Sequence, residues 1–317
     1  MNEAPALEEP LRAALARRAS LVADLAAAHT DCYRVFHGTN EGHAGLTIDR
    51  YGDLLLAQSF HMPLLDEEVA RVVSILDESF PGLDVVYNDR SSAESRVRNG
   101  LEGDALAIAE RDRIACEHGV RFHIRARHRG QDPWLFLDMR PVRRAVMDEA
   151  EGKSLLNLFA YTCGVGVAAA RAGASRVLNV DFARSSLDVG TANADLNGVA
   201  DRCRDVASDA FPAIRQLAGI RQAPVQRGRR LPPFPHIKPE TFDIVFLDPP
   251  RFATSPFGVV DLQRDYQSLF KPVLGTVADG GVLYCTNNVA QVDEEEWHSV
   301  LRRCADKHGR SIRNLDV

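Results

Sequence analysis

The stretch Ser154-Leu-Leu-Asn-Leu-Phe-Ala-Tyr-Thr-Cys-Gly-Val-Gly166 decides how this chain folds. It joins an apolar run, short enough for a buried strand, to a glycine turn and then to an alanine-rich segment, 167–172, that predicts a helix. Glycines are needed because the backbone must turn sharply and approach a ligand, which a Cβ atom would block. The order of strand, glycine turn and helix is typical of a nucleotide-cofactor site.

A second predicted strand, residues 176–180, ends in Asp181. A carboxylate at the tip of such a strand can accept hydrogen bonds from both hydroxyl groups of a ribose. Gly164 and Gly166 alone could form a plain tight turn, but the following acid favours a cofactor site. The same G-x-G-x-x-A spacing also suits a dinucleotide. Two interpretations therefore remain: a nicotinamide oxidoreductase, and an enzyme that binds another nucleotide-like cofactor.

The segment Phe242-Asp-Ile-Val-Phe-Leu-Asp-Pro-Pro-Arg-Phe252 separates these two interpretations. It predicts a fourth strand that ends in Asp248, Pro249 and Pro250, a tripeptide that has no role in dinucleotide binding. Two successive prolines fix φ and remove N–H donors, so the acid is held rigidly at the strand tip, where it can grip the edge of a base. The alternative is that Asp248 caps a helix and that the prolines merely end a strand.

Length and pattern predict two domains behind an N-terminal helix, since 317 residues exceed what one core usually serves. Leucines at helical spacing predict an amphipathic helix in residues 1–30. Short strands at 54–59 and 83–87, a helix at 65–78 and a turn at 51–53 predict a small α+β domain in residues 31–148. After Pro141 the order of strand, turn and helix repeats, which predicts an α/β fold with a mostly parallel, doubly wound sheet in residues 149–317.

Composition excludes several classes of protein. The net charge of −6 and pI near 5.9 argue against nonspecific coating of nucleic acid, so local basic patches must carry any RNA binding. Six cysteines without a C-x-x-C pair predict neither a zinc site, nor another metal site, nor disulfides. No segment approaches the ~18 apolar residues of a membrane span, and the N-terminus lacks the pattern of a signal peptide, so we expect a cytoplasmic protein without membrane contact.

The chain resembles the bacterial large-subunit (23S) ribosomal RNA methyltransferases, which join a small α+β domain to a class I, Rossmann-like methyltransferase domain. The resemblance covers nearly the whole chain and rests on several motifs in one order. They are Asp31 to Phe36, Gly45 to Asp53, Leu135 to Arg140 with Arg143 and Arg144, Asn157 to Thr162, Asp248 to Phe252 and Gly280 to Asn288. The resemblance implies S-adenosyl-L-methionine as cofactor and ribosomal RNA as partner.

The resemblance also implies which residues form the site. The cofactor's methionine part would lie on the loop from Phe159 to Gly166, its ribose at Asp181 and its adenine near Asp209. The implied cofactor residues are Phe159, Tyr161, Thr162, Gly164, Gly166, Asp181, Phe182, Asp209, Ala210 and Asp248. The implied catalytic residues are Asp248, Pro249, Pro250, Phe252 and Asn288. Asn197 resembles the helix-end asparagine of this fold, although such a residue is more often a C-cap than a ligand.

Members of this family make either 7-methylguanine or 5-methylcytosine, and the two products need different equipment. Carbon 5 of cytosine is a poor nucleophile, so a cysteine thiolate must add at carbon 6, whereas nitrogen 7 of guanine has a lone pair and needs only alignment. The cytosine enzymes carry their cysteine seven residues past the Gly-Gly pair, where this chain has Asn288. We therefore favour guanine N7, with Cys285 and Cys163 as packing residues, and keep cytosine C5 as the alternative. A degenerate RNA-binding module is a third hypothesis, against which Asp181 and Asp248 speak.

Arginines before the cofactor strand are the candidate RNA contacts, because guanidinium groups suit phosphates. They are Arg125, Arg127, Arg129, Arg140, Arg143 and Arg144. Any one of them could instead be a solvated surface residue. The Pro-rich basic segment 221–240 predicts a mobile loop, which is either a flexible insertion without a specific role or a loop that binds RNA. The sequence does not predict the oligomeric state.

The end of the chain predicts an incomplete sheet. The methyltransferase fold closes with a sixth strand and an antiparallel seventh strand, yet after the predicted helix at 294–307 only residues 310–317 remain, enough for one strand. We therefore expect either a truncated chain or an unpaired edge near the fifth strand, which would be prone to pair with another chain.

Overall fold

The computed structural model describes residues 7–92, 100–128, 132–226 and 229–316. The chain divides into two compact units, Met1–Arg140 and Pro141–Val317. The boundary lies eight residues before the one expected from the sequence, because the helix that begins at Arg140 belongs mostly to the second unit. Among the described residues, no helix is both long enough and apolar enough to cross a membrane.

The first unit contains a four-stranded sheet in the order β1-β2-β3-β4, in which β3 and β4 are parallel and the other pairs antiparallel, and a separate hairpin of β5 and β6. Its elements are α1 (Glu8–Arg17), α2 (Ala19–Ala27), β1 (Cys32–His37), α3 (Gly38–Glu41), β2 (Leu46–Tyr51), β3 (Leu54–Ser59), α4 (Asp66–Ser79), β4 (Asp84–Asp89), α5 (Gly103–Glu110), β5 (Arg113–Glu117) and β6 (Val120–Ile124). The small α+β unit predicted from the sequence is thus present.

The N-terminal helix differs from the prediction, since two short helices replace one. The helix is interrupted at Arg18. The guanidinium of this residue donates hydrogen bonds to the carbonyl oxygen of Ala14 at 3.2 Å and to the carboxylate of Glu41 at 2.6 Å. These bonds hold the junction of α1 and α2 against the end of α3. The amphipathic face is real, because Leu11 and Leu25 are both buried in the core of this unit.

That core joins the sheet to α1, α2 and α4. Helix α4 presents Val72, Ile75 and Leu76 at the spacing of one helical face, and all three are buried in it. Burial of each such side chain contributes about 1.5 to 3 kcal/mol to the stability of the unit.

The second unit is built on a five-stranded parallel sheet in the order β15-β12-β7-β8-β9. Helices follow most of its strands, so the predicted α/β fold of class I methyltransferase type is confirmed. The elements are α6 (Arg140–Glu149), β7 (Ser154–Leu158), α7 (Gly164–Arg171), β8 (Arg176–Asp181), α8 (Arg184–Leu196), β9 (Cys203–Ala207), α9 (Ala210–Leu217), β10 (Val225–Gln226), β11 (Arg229–Arg230), β12 (Phe242–Leu247), β13 (Phe252–Ser255), β14 (Gly258–Asp261), α10 (Gln267–Val273), β15 (Val277–Cys285) and α11 (Glu294–Lys307).

Among the residues that the structure describes, the sheet edge at β15 is unpaired, as expected, but the last residues do not form the strand expected of them. Within the described residues β15 pairs with β12 alone, and no strand is present between residues 308 and 316. The prediction of a strand is therefore wrong for residues 310–316. Ile312 and Leu315 pack against the apolar core instead.

The segment 221–240 is also more ordered than its composition predicts. Over its described part, the side chains of Leu231 and Ile237 are buried. Gln216 of α9 holds this stretch from both sides: its amide donates to the carbonyl oxygen of Pro235 at 3.1 Å and accepts from the backbone N–H of Ile237 at 3.2 Å. The second half of the segment therefore packs on α9, and the prediction of a mobile loop is wrong for that half.

Candidate functional site

The register of the parallel sheet gathers the predicted site residues at one edge. Leu247 of β12 is level with Cys285 of β15 on one side and with Leu158 of β7 on the other. Leu158 is in turn level with Val180 of β8. The residues one step beyond this row are Thr286, Asp248, Phe159 and Asp181. Because the carboxyl ends of parallel strands in open α/β sheets border the ligand crevice, this row is the candidate site.

The loop that follows β7 has an unusual backbone. Phe159, Tyr161 and Cys163 have φ values of 58°, 49° and 61°, in the left-handed region that side chains other than glycine rarely adopt. Each such residue costs roughly 1 to 3 kcal/mol and persists only where its surroundings over-determine it. Strain of this kind concentrates at ligand-binding sites, so the loop has the character expected of a cofactor loop. Gly164 begins α7 directly after it, and Gly166 lies in the first turn of that helix.

Asp181 holds the loop from the neighbouring strand. Its Oδ2 atom accepts the backbone N–H of Tyr161 at 2.8 Å, and its Oδ1 atom accepts that of Ala183 at 2.8 Å. The side chain is only 8% exposed. Burial raises the pKa of Asp181 above its ordinary value, although the backbone donors of Ala183, Tyr161 and Phe182 act in the opposite direction. Phe182, the next residue, is 79% exposed, so an apolar ring stands open to solvent beside a nearly buried carboxylate.

The other predicted cofactor residues occupy helix ends and the loop itself. Asp209 is the N-cap of α9, and its carboxylate accepts the backbone N–H of Phe211 at 2.8 Å, while Ala210 is buried as the first residue of that helix. Thr162 is buried, and its carbonyl oxygen accepts a hydrogen bond of 3.1 Å from the side chain of Asn193 in α8. Asn193 was not predicted, since a buried asparagine inside a helix gives no signal in the sequence. Asn197 is the C-cap of α8, as its common role suggested.

The Asp-Pro-Pro segment stands at the end of β12 and is tied to β15. The hydroxyl group of Thr286 donates a hydrogen bond to Oδ1 of Asp248. Pro249 is buried and Pro250 is exposed. Phe252, 62% exposed, opens the hairpin of β13 and β14 immediately afterwards. Asp248 does not cap a helix, so that part of the alternative drawn from the sequence is wrong, although the prolines do follow the end of β12. Thr286 is a neighbour that sequence reasoning missed.

The cysteines near this edge are poor nucleophiles. Burial raises the pKa of Cys285 to about 11, despite a lowering contribution from the hydroxyl of Tyr266. Burial and the nearby Asp205 carboxylate raise the pKa of Cys163 well above its ordinary value. Both thiols therefore stay protonated at neutral pH, and a thiol is far less nucleophilic than a thiolate. Asn288, three residues past Cys285, is exposed.

The predicted RNA-binding arginines fall into two groups. Arg127 and Arg143 are only 3% and 2% exposed, so neither presents its guanidinium to solvent. The other three are accessible but already paired: Arg125 with Asp112 at 2.6 Å, Arg140 with Glu117 at 3.0 Å and Arg144 with Asp148 at 3.2 Å. Arg125 also lies 5.1 Å from the centre of the Trp134 ring. Arg129 lies outside the described residues. Across the part of the chain that the structure describes, His, Cys, Asp and Glu side chains form no group of three that could hold a metal ion.

Comparisons with known proteins agree with this geometry. Residues 46–222 match a family model described as S-adenosylmethionine-dependent methyltransferase. The chain is 31% identical to the ribosomal RNA large subunit methyltransferase K/L of Pseudomonas paraeruginosa over 84% of its own length and 34% of the relative's. It is 28% identical to the ribosomal RNA large subunit methyltransferase I of Aeromonas hydrophila, covering 90% of this chain and 68% of that protein.

A solved structure shares the fold. The crystal structure of SMU.776 complexed with SAH superimposes with a TM-score of 0.75 at 23% identity, over 93% of this chain and 70% of that one. The chain thus spans about a third of the K/L relatives and about two thirds of the methyltransferase I relatives. The family match covers more than half of the chain and includes the strained loop and Asp181. The chain belongs to the S-adenosylmethionine-dependent methyltransferase family, and S-adenosylmethionine is its cofactor.

Proposed function

We propose that this chain methylates a guanine of large-subunit ribosomal RNA at nitrogen 7. The named activity of the K/L and I relatives supports the substrate class. The observation that carries the choice of base is the exposed Asn288, which stands where the cytosine enzymes carry their cysteine. Cys285 lies three residues earlier, at the end of β15, where burial raises its pKa to about 11. Methylation at cytosine C5 needs a thiolate, whereas guanine N7 needs none.

The residues at the sheet edge fit S-adenosylmethionine. An ionised carboxylate has about four acceptor sites, so Asp181 keeps capacity for ribose hydroxyl groups beyond its backbone bonds. The exposed ring of Phe182 stands beside it and offers a face for the adenine. Asp209 and Ala210 at the start of α9 would border the adenine edge, and the loop from Phe159 to Gly166 would hold the methionine part.

The base would be bound by the Asp-Pro-Pro segment. Guanine carries its hydrogen-bond donors on the edge opposite N7, and the Asp248 carboxylate can accept from them. The exposed ring of Phe252 offers a surface on which the base can stack. Bound S-adenosylmethionine supplies an electrophilic methyl group on its sulfonium. Asp248, Pro249 and Pro250 then orient the N7 lone pair and exclude water, and no residue has to remove a proton.

The remaining RNA contacts would come from the accessible arginines. Arg125, Arg140 and Arg144 each have a carboxylate partner, so a phosphate must compete with that partner. We leave Arg127 and Arg143 out of the proposed RNA contacts because they are buried. Contacts of this kind position the RNA without reading its sequence.

Incubation of the chain with S-adenosylmethionine and unmodified ribosomal RNA, followed by mass spectrometry of the nucleosides, tests the proposal. We expect 7-methylguanine. Formation of 5-methylcytosine would replace the proposed base, and absence of both products would leave an RNA-binding module. Calorimetric titration with S-adenosylhomocysteine and with NAD checks the oxidoreductase alternative, and we expect heat only from the former.

A further inference from the structure

A chain of polar side chains runs from the interior of the second unit to its surface. The amide of Asn157 in β7 donates to Oδ1 of Asn179 in β8 at 2.9 Å, and the amide of Asn179 donates to Oδ1 of Asp205 in β9 at 2.9 Å. Thr191 of α8 closes the chain with a hydrogen bond of 2.9 Å to Oδ2 of Asp205. Asn157 and Asn179 are each 1% exposed. Two adjacent strands therefore carry a buried polar residue where leucine or valine would ordinarily pack, and the edge strand β9 carries the half-buried Asp205.

Folding alone does not require these residues. Buried polar groups contribute little net stability even when fully paired, and apolar side chains of similar volume are often equally good or better. A complete network does restrict its neighbours to a single arrangement. What it restricts here can be read from its contacts.

The network meets the strained cofactor loop at two points. A Cβ atom added to Gly166 would lie 2.2 Å from Oδ1 of Asn179, so the first turn of α7 rests directly on that amide. The thiol of Cys163, one of the three left-handed residues, lies 3.9 Å from Oδ1 of Asp205. Cys163 in turn fills the space beside Gly190, where a Cβ would come within 2.3 Å of its sulfur. Both ends of the segment 163–166 are thus set by Asn179 and Asp205.

We propose that Asn179 and Asp205 are positioning residues, which hold residues 163–166 in the conformation that binds the cofactor. This inference rests on the proposed placement of S-adenosylmethionine at the loop. Neither residue touches the cofactor. They act through the backbone of α7 and through Cys163, so cofactor affinity depends on them more steeply than folding does.

The test uses Asp205→Ala, which removes the acceptor for Asn179 and Thr191, and Asp205→Asn, which keeps an acceptor oxygen and an amide that can donate to Thr191. Ser154→Ala is the matched control. Ser154 is buried on the same sheet, and its hydroxyl donates to Asp243 at 2.7 Å, but at the opposite end of β7 from the loop. Each protein is titrated with S-adenosylhomocysteine, and its thermal unfolding is measured without ligand.

We expect Asp205→Ala to weaken S-adenosylhomocysteine binding at least tenfold and to raise KM for S-adenosylmethionine far more than it lowers kcat. Asp205→Asn should restore most of the affinity, and Ser154→Ala should bind as the wild type does even where it unfolds earlier. Equal affinity of Asp205→Ala and wild type for S-adenosylhomocysteine overturns the proposal. It is also overturned if Ser154→Ala loses affinity in proportion to its loss of thermal stability, because affinity would then only follow stability. Should Asp205→Ala not fold, Thr191→Val, a change at an exposed position, replaces it with the same criteria. Failure of the wild type itself to bind would instead count against the proposed placement of the cofactor.

Discussion

The hydroxyl group of Thr286 donates a hydrogen bond to Oδ1 of Asp248 across the ends of two neighbouring parallel strands. The hydroxyl group of Thr286 therefore fixes the orientation of one oxygen of the acid at the edge of the sheet. The prolines at 249 and 250 restrict the backbone on one side, and β15 supplies the donor on the other. A carboxylate fixed in this way suits the binding of a planar base better than it suits proton transfer, because a fixed acceptor sets the orientation of the bound base.

This arrangement predicts graded losses of methyl transfer. Asp248→Ala removes the orienting acceptor and should lower kcat on ribosomal RNA ~100-fold. Thr286→Val removes the hydroxyl that donates to Oδ1 of Asp248 and should lower kcat ~10-fold, since a hydrogen bond to a charged group contributes about 1.5 to 3 kcal/mol. Thr286→Ser keeps the hydroxyl and should act as wild type. Steady-state kinetics with labelled cofactor measure all three, and wild-type kcat in Thr286→Val would show that the donor has no part in orientation.

Asp181 predicts a pH dependence of cofactor affinity. Burial raises its pKa, so on acidification it takes up a proton before an ordinary aspartate, whose pKa is ~3.9, would do so. The protonated acid loses negative charge and acceptor capacity. Affinity for S-adenosylhomocysteine should therefore be full at pH 7 and decline on acidification, starting above the range of an ordinary aspartate. Calorimetric titration at a series of pH values measures the decline.

The matched variants separate Asp181 from other carboxyl groups. Asp181→Ala should bind S-adenosylhomocysteine at least tenfold more weakly than wild type at pH 7, because hydrogen bonds to charged acceptors contribute about 1.5 to 3 kcal/mol each. Asp181→Asn should also be weak, and its affinity should no longer change over the same acidic range. An unchanged pH profile in Asp181→Asn would assign the decline to another group.

Much of this architecture could be predicted because it depends on local pattern. The strand predicted within the apolar run 154–160, the acid at the tip of β8 and the helix at 294–307 all follow from apolar periodicity and turn chemistry. The structure has the strand at Ser154–Leu158 and the other two at the predicted positions. The break at Arg18 could not be predicted, since it depends on the distant carboxylate of Glu41. The burial of Ile237 depends likewise on Gln216, which periodicity does not connect to it.

The candidate site shows the same division. Asp181 and Asp248 end predicted strands, so topology alone brings them to one edge. Thr286 and the polar chain through Asn179 gave no signal, because their role depends on the register between strands that are far apart in sequence. For the arginines, the sequence identifies the cations but does not say which of them the fold buries, as it does Arg127 and Arg143.

Glu41 predicts a stability that depends on pH. It accepts hydrogen bonds from Arg17 and Arg18 at 2.6 Å each and from the backbone N–H of His37 at 2.7 Å. Although burial opposes them, these donors lower its pKa to about 2. The stabilisation is thus fully present above the unfolded-state pKa of ~4.3 and is lost as pH falls towards 2. Glu41→Gln should lower the free energy of unfolding by about 2 kcal/mol at pH 7, and the difference from wild type should shrink between pH 4.5 and 2.

Glu78→Gln provides the control for this prediction. Glu78 pairs with Arg12 at 2.8 Å, but both side chains are about half exposed. Exposed pairs contribute little to stability, so this variant should unfold close to wild type in urea at every pH tested. Equal destabilisation by the two variants would mean that burial of Glu41 adds nothing to its ion pairs.

The last prediction concerns the chemistry of the base. If guanine N7 is the target, no covalent adduct forms and the thiol of Cys285 serves only packing, as its pKa of about 11 suggests. Cys285→Ser should then keep methyl transfer close to wild type, and RNA that contains 5-fluorocytosine should not be trapped by either protein. Chemistry at cytosine C5 requires the reverse, with transfer abolished in Cys285→Ser and a wild-type adduct that survives denaturation. Mass spectrometry of the methylated nucleoside together with gel analysis of the adduct decides between them: 7-methylguanine made by Cys285→Ser supports the proposal, and 5-methylcytosine that depends on Cys285 overturns it.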